Sequence, residues 1–248
     1  MSFRLLFLVF AAFVAAAPAA AQEALNPAQK LAVETIVRDY LRDHPEMILE
    51  ALQNLEQRRE AEQQERSRQT LAERRGELFN DPATPVEGNP KGDVTLVEFF
   101  DYRCGYCKGV SATLADVVRQ DGNVRLVLKE FPILGPASVV ASRAALAAWR
   151  QDRTKYMLFH KAMMDAKGEL TESRVLQIAT SQGLDADRLA KGMQAPEINS
   201  ALQRNLELAK ALEISGTPAF IIGEQVVPGA VGADGLKKLI AEARRKPS

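Results

Sequence analysis

Two cysteines, Cys104 and Cys107, are the only ones in the chain, and just two residues separate them. A structural disulfide normally closes a much longer loop, because loop length sets how far it restricts the unfolded chain. A pair this close is better suited to chemistry. Thiol–disulfide exchange needs an attacking thiolate and a second thiol to resolve the mixed disulfide. At the start of a helix, the free N–H groups and the positive end of the helix dipole stabilise the first sulfur as a thiolate. Cys104 is therefore expected to be the nucleophile, and Cys107, one turn inside, the resolving thiol. A closed zinc site wants four Cys or His ligands. His44 and His160 are the only histidines, one in an N-terminal helical segment and one beside Phe159 in an amphipathic helix. No metal site or cofactor is therefore assigned. A dithiol can also hold a two-coordinate soft ion such as Cu(I), and this stands as a reading from a different functional class.

The elements around the pair fit the chemistry. Val94 to Phe100 is β-branched and aromatic, hence a strand, and the cysteines follow it directly. Lys108 to Arg119 is helical, with Val110, Leu114, Val117 and Val118 on one face. After a turn at Asp121-Gly122-Asn123, a second strand runs from Val124 to Lys129. A helical block follows, with segments at Ala137–Trp149, Thr154–Met164, Thr171–Ser181, Asp185–Met193 and Pro196 to about Leu212. Short strands at Ala219–Ile222 and Gln225–Val227 and a helix at Ala233–Ala243 close the chain. The order is β-α-β, a helical insertion, then β-β-α.

The N-terminal third differs in composition. Arg4, the apolar run Leu5–Ala17 and the small residues Ala19-Ala20-Ala21 read as a secretory signal peptide over residues 1–21; an uncleaved anchor is the alternative. Residues 22–79 are rich in helix formers. A first helix is expected from Pro27 to about Arg42, with Asn26 as N-cap, and a second from Pro45. The stripe of the second, Ile48, Leu49, Leu52 and Leu55, fades into a polar stretch from Gln57 to Gln69. Too little chain surrounds this apolar part for it to bury itself. Ile48, Leu52 and Leu55 are therefore expected to mediate self-association, with packing back on the main domain as the alternative. Residues 80–93 read as a linker punctuated by proline and glycine. The catalytic fold then occupies 94–136 and 213–248, with the helical insertion at 137–212 between them. Lys+Arg and Asp+Glu balance at 32 each, so nothing in the charge points to nucleic acid. Nor is stable membrane insertion expected after signal cleavage.

The segment Val97-Glu98-Phe99-Phe100-Asp101-Tyr102-Arg103-Cys104-Gly105-Tyr106-Cys107-Lys108 resembles the active-site segment of DsbA-family proteins. Gly216-Thr217-Pro218-Ala219-Phe220 resembles the family's cis-proline loop. The likeness spans about residues 93–245, and the N-terminal extension is similar to the oligomerising segment of ScsC-like members. It implies an α/β thioredoxin fold with an inserted helical domain, preceded by a helical oligomerisation stalk. It also implies that Pro218 is cis and faces the cysteines, leaving the Thr217 backbone free to pair with an extended substrate. Glu98 would be a buried carboxyl with a raised pKa, relaying the proton of Cys107; an exposed strand-face Glu is the alternative. Lys129 would pair with Glu98 or point to solvent.

Gly105 and Tyr106 would tune the redox poise. Strongly oxidising members carry a His just before the second cysteine, where a cation favours the reduced form; this chain has Tyr106. With the stalk, that favours a periplasmic disulfide isomerase or reductase over a DsbA-like dithiol oxidase. The expected partners are substrate proteins with cysteines or disulfides, a membrane redox partner and further copies of this chain, a trimer being the order the likeness suggests.

Overall fold

The computed structural model describes residues 25–245; the expected signal peptide lies outside them. The chain divides into two bodies between Arg58 and Arg59.

In the first body, helix α1 spans Pro27–Asp43. Asn26 Oδ1 accepts from Gln29 N at 2.9 Å, and Gln29 Oε1 accepts from Asn26 N at 2.9 Å. This reciprocal capping box, with Pro27 at the first position, fixes the helix start. Pro45 separates α1 from α2 (Glu46–Glu73). No residue of α1 is buried. Leu31, Ile36, Tyr40, Ile48, Leu52 and Leu55 are exposed by 45% to 67%, so the described residues of this first body give the apolar stripe no cover of their own.

The second body contains the rest of α2 and a short helix, α3 (Arg75–Phe79). Then follow β1 (Val86–Gly88), β2 (Val94–Phe100), α4 (Gly105–Asp121) and β3 (Val124–Glu130). The inserted helices are α5 (Pro136–Gln151), α6 (Arg153–Asp165), α7 (Glu172–Ser181), α8 (Ala186–Met193) and α9 (Pro196–Ala211). β4 (Ala219–Ile222), β5 (Gln225–Pro228) and α10 (Ala233–Arg245) complete it. The sheet order is β1-β3-β2-β4-β5. β2 and β3 are parallel, joined by the α4 crossover, and every other pairing is antiparallel.

Alternation along β2 divides the core. Leu96 and Phe100 face α4 and the helical insertion, in a cluster with Cys107, Leu114, Tyr156 and Phe159. Val97 and Phe99 face the other way, against Leu71, Leu78, Leu208 and Leu212. Residues 80–93 are more than a linker. They carry β1, which pairs with β3 through Val86 opposite Val127, and Thr84 is buried. The base of the expected stalk belongs to the catalytic body as well, because Leu71 and Leu78 fill its second core. A three-residue strand between prolines and glycines is too short to leave a periodic signature.

Candidate active site

Strand β2 delivers the chain to a tight turn at residues 101–104, and α4 begins immediately after. Cys104 is the N-cap of α4, with its Sγ accepting from Cys107 N at 3.3 Å. The Cys104 thiol donates to the carbonyl of Thr217 at 3.2 Å. Thr217–Pro218 is a cis peptide, so the loop expected to face the cysteines does so. Both thiols are free in this structure. Burial pushes the Cys107 thiol far above its ordinary value. The Cys104 sulfur and the Glu98 charge push the same way, and a hydrogen bond from the Asp101 backbone opposes them.

Glu98 is fully enclosed, on the face of β2 that carries Leu96 and Phe100. Its Oε1 has no hydrogen-bond partner, and burial raises its pKa to about 8. A carboxyl in this setting is protonated at neutral pH and close to titrating. Lys129 does not join it. The parallel register sets Glu98 opposite Leu128 and Phe99 opposite Lys129, so Lys129 lies on the other face of the sheet. There its ammonium donates to the Glu77 carbonyl at 2.7 Å and to Thr84 Oγ1 at 2.8 Å. Burial lowers its pKa to about 8. Lys129 ties α3 and the segment before β1 to the sheet; it is neither the partner of Glu98 nor exposed to solvent.

Gly105 and Tyr106 sit at the surface beside Cys104. Tyr106 is 74% exposed, and a Cβ added at Gly105 would meet no atom within 4 Å. The pair is thus free of packing constraint and open to electrostatic variation.

Two buried arrangements beside the cysteines escape sequence reasoning. In the first, Asp101 Oδ1 accepts from Arg103 N at 2.8 Å, while Oδ2 accepts from Ile133 N and Leu134 N, each at 3.0 Å. One carboxylate thereby holds the active-site turn and the loop after β3 together. In the second, Tyr102 links the turn to the helical insertion. Its hydroxyl donates to Glu130 Oε1 at 3.3 Å and lies 2.9 Å from His160 Nδ1. Ser142 Oγ donates to Glu130 Oε2 at 2.7 Å. Burial raises the Glu130 pKa well above its ordinary value, against the hydrogen bonds from Ser142 and Tyr102, and lowers that of His160 to about 4. Both cysteines, Asp101 and Tyr102 all lie within one short segment. The partners, at 130–134, 142 and 160, come from elements that only the tertiary fold brings near.

A thiol capping a helix, a second thiol buried one turn further in, and the Thr217 carbonyl of the cis peptide at hydrogen-bond distance of the first are arranged as thiol exchange requires. Residues 95–241 match the model of the DSBA-like thioredoxin domain. The chain belongs to that family. As a DSBA-like protein it is a thiol–disulfide oxidoreductase of the DsbA/ScsC type. Residues 29–62 match a second model, the copper resistance protein ScsC N-terminal domain.

The chain is similar to a thioredoxin-like oxidoreductase from Silicibacter pomeroyi, with 47% identity and a TM-score of 0.66. That alignment covers 69% of this chain and 98% of the other. It is also similar to Proteus mirabilis ScsC in a transitional conformation, with 34% identity and a TM-score of 0.67, covering 90% of this chain and all of that one. A probable disulfide bond formation protein D from Bacillus anthracis is 24% identical over 182 residues, 68% of this chain and 82% of its own length. Among the described residues, no helix is long and apolar enough to cross a membrane.

Proposed function

We propose that this DSBA-like protein is a periplasmic disulfide isomerase or reductase that works as a homo-oligomer and is kept reduced by a membrane redox partner. The observation that carries the reading is the apolar stripe through α1 and the start of α2, which the described residues of its own body leave exposed. The likeness of residues 29–62 to an ScsC N-terminal domain supports the same view. Copies joined through Ile48, Leu52 and Leu55 would set several Cys104 thiols around one substrate, which suits the repair of wrong disulfides.

The residue before Cys107 is Tyr106, which supplies no cation to favour the reduced form, and this supports an isomerase over a strong oxidase. In the reaction, Cys104 thiolate attacks a substrate disulfide and forms a mixed disulfide, releasing one substrate thiolate. That thiolate can attack another substrate disulfide, and the new thiolate so released attacks the mixed disulfide and expels the Cys104 thiolate, which gives isomerisation with no net transfer of electrons. Alternatively, Cys107 passes its proton to the Glu98 carboxylate and displaces the substrate, leaving a Cys104–Cys107 disulfide. The second course moves two electrons to the substrate, and the redox partner restores them.

The test combines light scattering, the potential of the Cys104–Cys107 pair and refolding of a scrambled disulfide protein. An oligomer that rescues scrambled substrate is expected. A monomer, or a protein that oxidises reduced substrate but cannot rescue scrambled substrate, would overturn the reading.

A further inference from the structure

We propose that the polar second half of α2 forms one wall of the substrate groove, and that its charge selects extended polypeptide segments carrying Lys or Arg beside the reacting cysteine. This rests on the thiol-exchange reading above and concerns what the same site accepts.

A groove of roughly 860 Å³ runs beside the cis-proline loop. Thr217 and Pro218 line it on one side, and Glu60 and Arg68 of α2 on the other. The Thr217 carbonyl already receives the Cys104 thiol, so a substrate sulfur joined to Cys104 would lie at this loop and its flanking chain would enter the groove. β5 is the last strand of the sheet, so its outer edge offers backbone groups to an extended segment. A compact or helical segment would not reach those groups.

The groove's charge then decides the side chains. Glu60, Glu213 and Glu224 line it against a single cation, Arg68. Arg66 touches Glu213 at 3.9 Å, and including it still leaves the carboxylates in excess. Arg68 meets Glu224 at 3.9 Å, each being 58% exposed. A pair so solvated is weak, so Glu224 is free to exchange Arg68 for a substrate cation. The chain as a whole has a formal net charge of zero, so its total charge supplies no preference for cationic segments.

The polar character of residues 57–69 gains a purpose on this view. Leu71 and Leu78 anchor the base of the helix in the second core, and the turns before them face the groove instead of a core.

The test uses the full-length reduced protein and two extended peptides. Each carries one cysteine joined to thionitrobenzoate, flanked by Lys in one peptide and by Glu in the other. Attack of Cys104 on the peptide sulfur releases coloured thionitrobenzoate. Each rate is divided by that of dithiothreitol with the same peptide, which removes the peptide's own reactivity. The Lys-flanked peptide is expected to react about 3- to 10-fold faster at low salt, with the advantage fading toward 1 M salt. In E60K/E224K the ratio should fall to one or below, and E224Q should lie between. Glu213 is left alone because its φ of 57° would mix strain with charge. Because each result is a ratio measured on one protein, a general loss of activity cancels. Equal normalised rates in the natural protein, or an unchanged ratio in E60K/E224K, would overturn the groove assignment alone. Failure to react with either peptide would overturn the thiol-exchange reading with it.

Discussion

Replacing Glu98 with Gln should make folding stability less sensitive to pH, and the structure sets the size of the effect. The Glu98 carboxyl moves from an ordinary 4.5 to about 8 through burial. Between those values the native state holds a proton that the unfolded chain has released. Stability is therefore fully present below about pH 4.5 and is lost as the pH rises through 8. At about 1.4 kcal/mol per pH unit, the loss is on the order of 3 kcal/mol between pH 5 and pH 8.

Glu98→Gln keeps the shape of the protonated acid and removes the titration. Its stability relative to the natural protein should therefore rise by on the order of 3 kcal/mol over that interval, whatever fixed cost the buried amide adds. Urea denaturation of the reduced protein at pH 5, 6, 7 and 8 measures this directly. Parallel pH curves for the two proteins would refute the reasoning, since they would mean that Glu98 ionises as it does in water. The same substitution bears on the chemistry. Positioned proton transfer contributes about 10²- to 10⁴-fold, so resolution of the mixed disulfide by Cys107 should slow at least about 100-fold relative to the first attack by Cys104. In the natural protein the resolving rate should rise as the pH passes 8, and the variant should lose that rise; rapid acid quench separates the two steps.

Three further outcomes follow from the site and the stripe. Tyr106→His places a titratable cation at an exposed position beside Cys104, and should make the pair more oxidising by tens of millivolts, on the order of 30 mV for each 1.4 kcal/mol gained by the reduced form; glutathione redox titration checks it. Asp101→Asn replaces one acceptor oxygen by an NH2 group, so at least one of the three backbone N–H groups now served by one carboxylate would face a donor, and this should cost about 2–4 kcal/mol in urea denaturation; a loss under about 0.5 kcal/mol would mean that the turn is held elsewhere. Leu52→Glu puts a charge into the exposed stripe and should convert the proposed oligomer to monomer in light scattering while reduction of a small disulfide persists.

The parts of the fold legible in sequence were those with local causes. A β-branched run ending at a Cys-x-x-Cys specified the β2–α4 junction, and Pro27 and Pro196 marked helix starts that the structure retains. Pro218 was legible because its loop resembles a known one. What stayed hidden depended on pairing between distant elements. Asp101 looks like one more turn residue until the loop at Ile133 and Leu134 closes over it, and Tyr102 meets His160 only once the insertion folds back.

Lys129 shows how narrow the difference can be. Side chains alternate across a strand, so in a parallel pair the register decides which residues share a face. With Glu98 level with Leu128, Leu128 falls on the side of the cysteines and Lys129 on the other. A register one residue away would have put an ammonium against Glu98, held it as a carboxylate and removed the reason for its high pKa. The same register instead leaves Glu98 with one unpartnered oxygen close enough to Cys107 to raise its thiol pKa. The proton relay proposed for Glu98 thus depends on the absence of a cation that the sequence alone could have placed there.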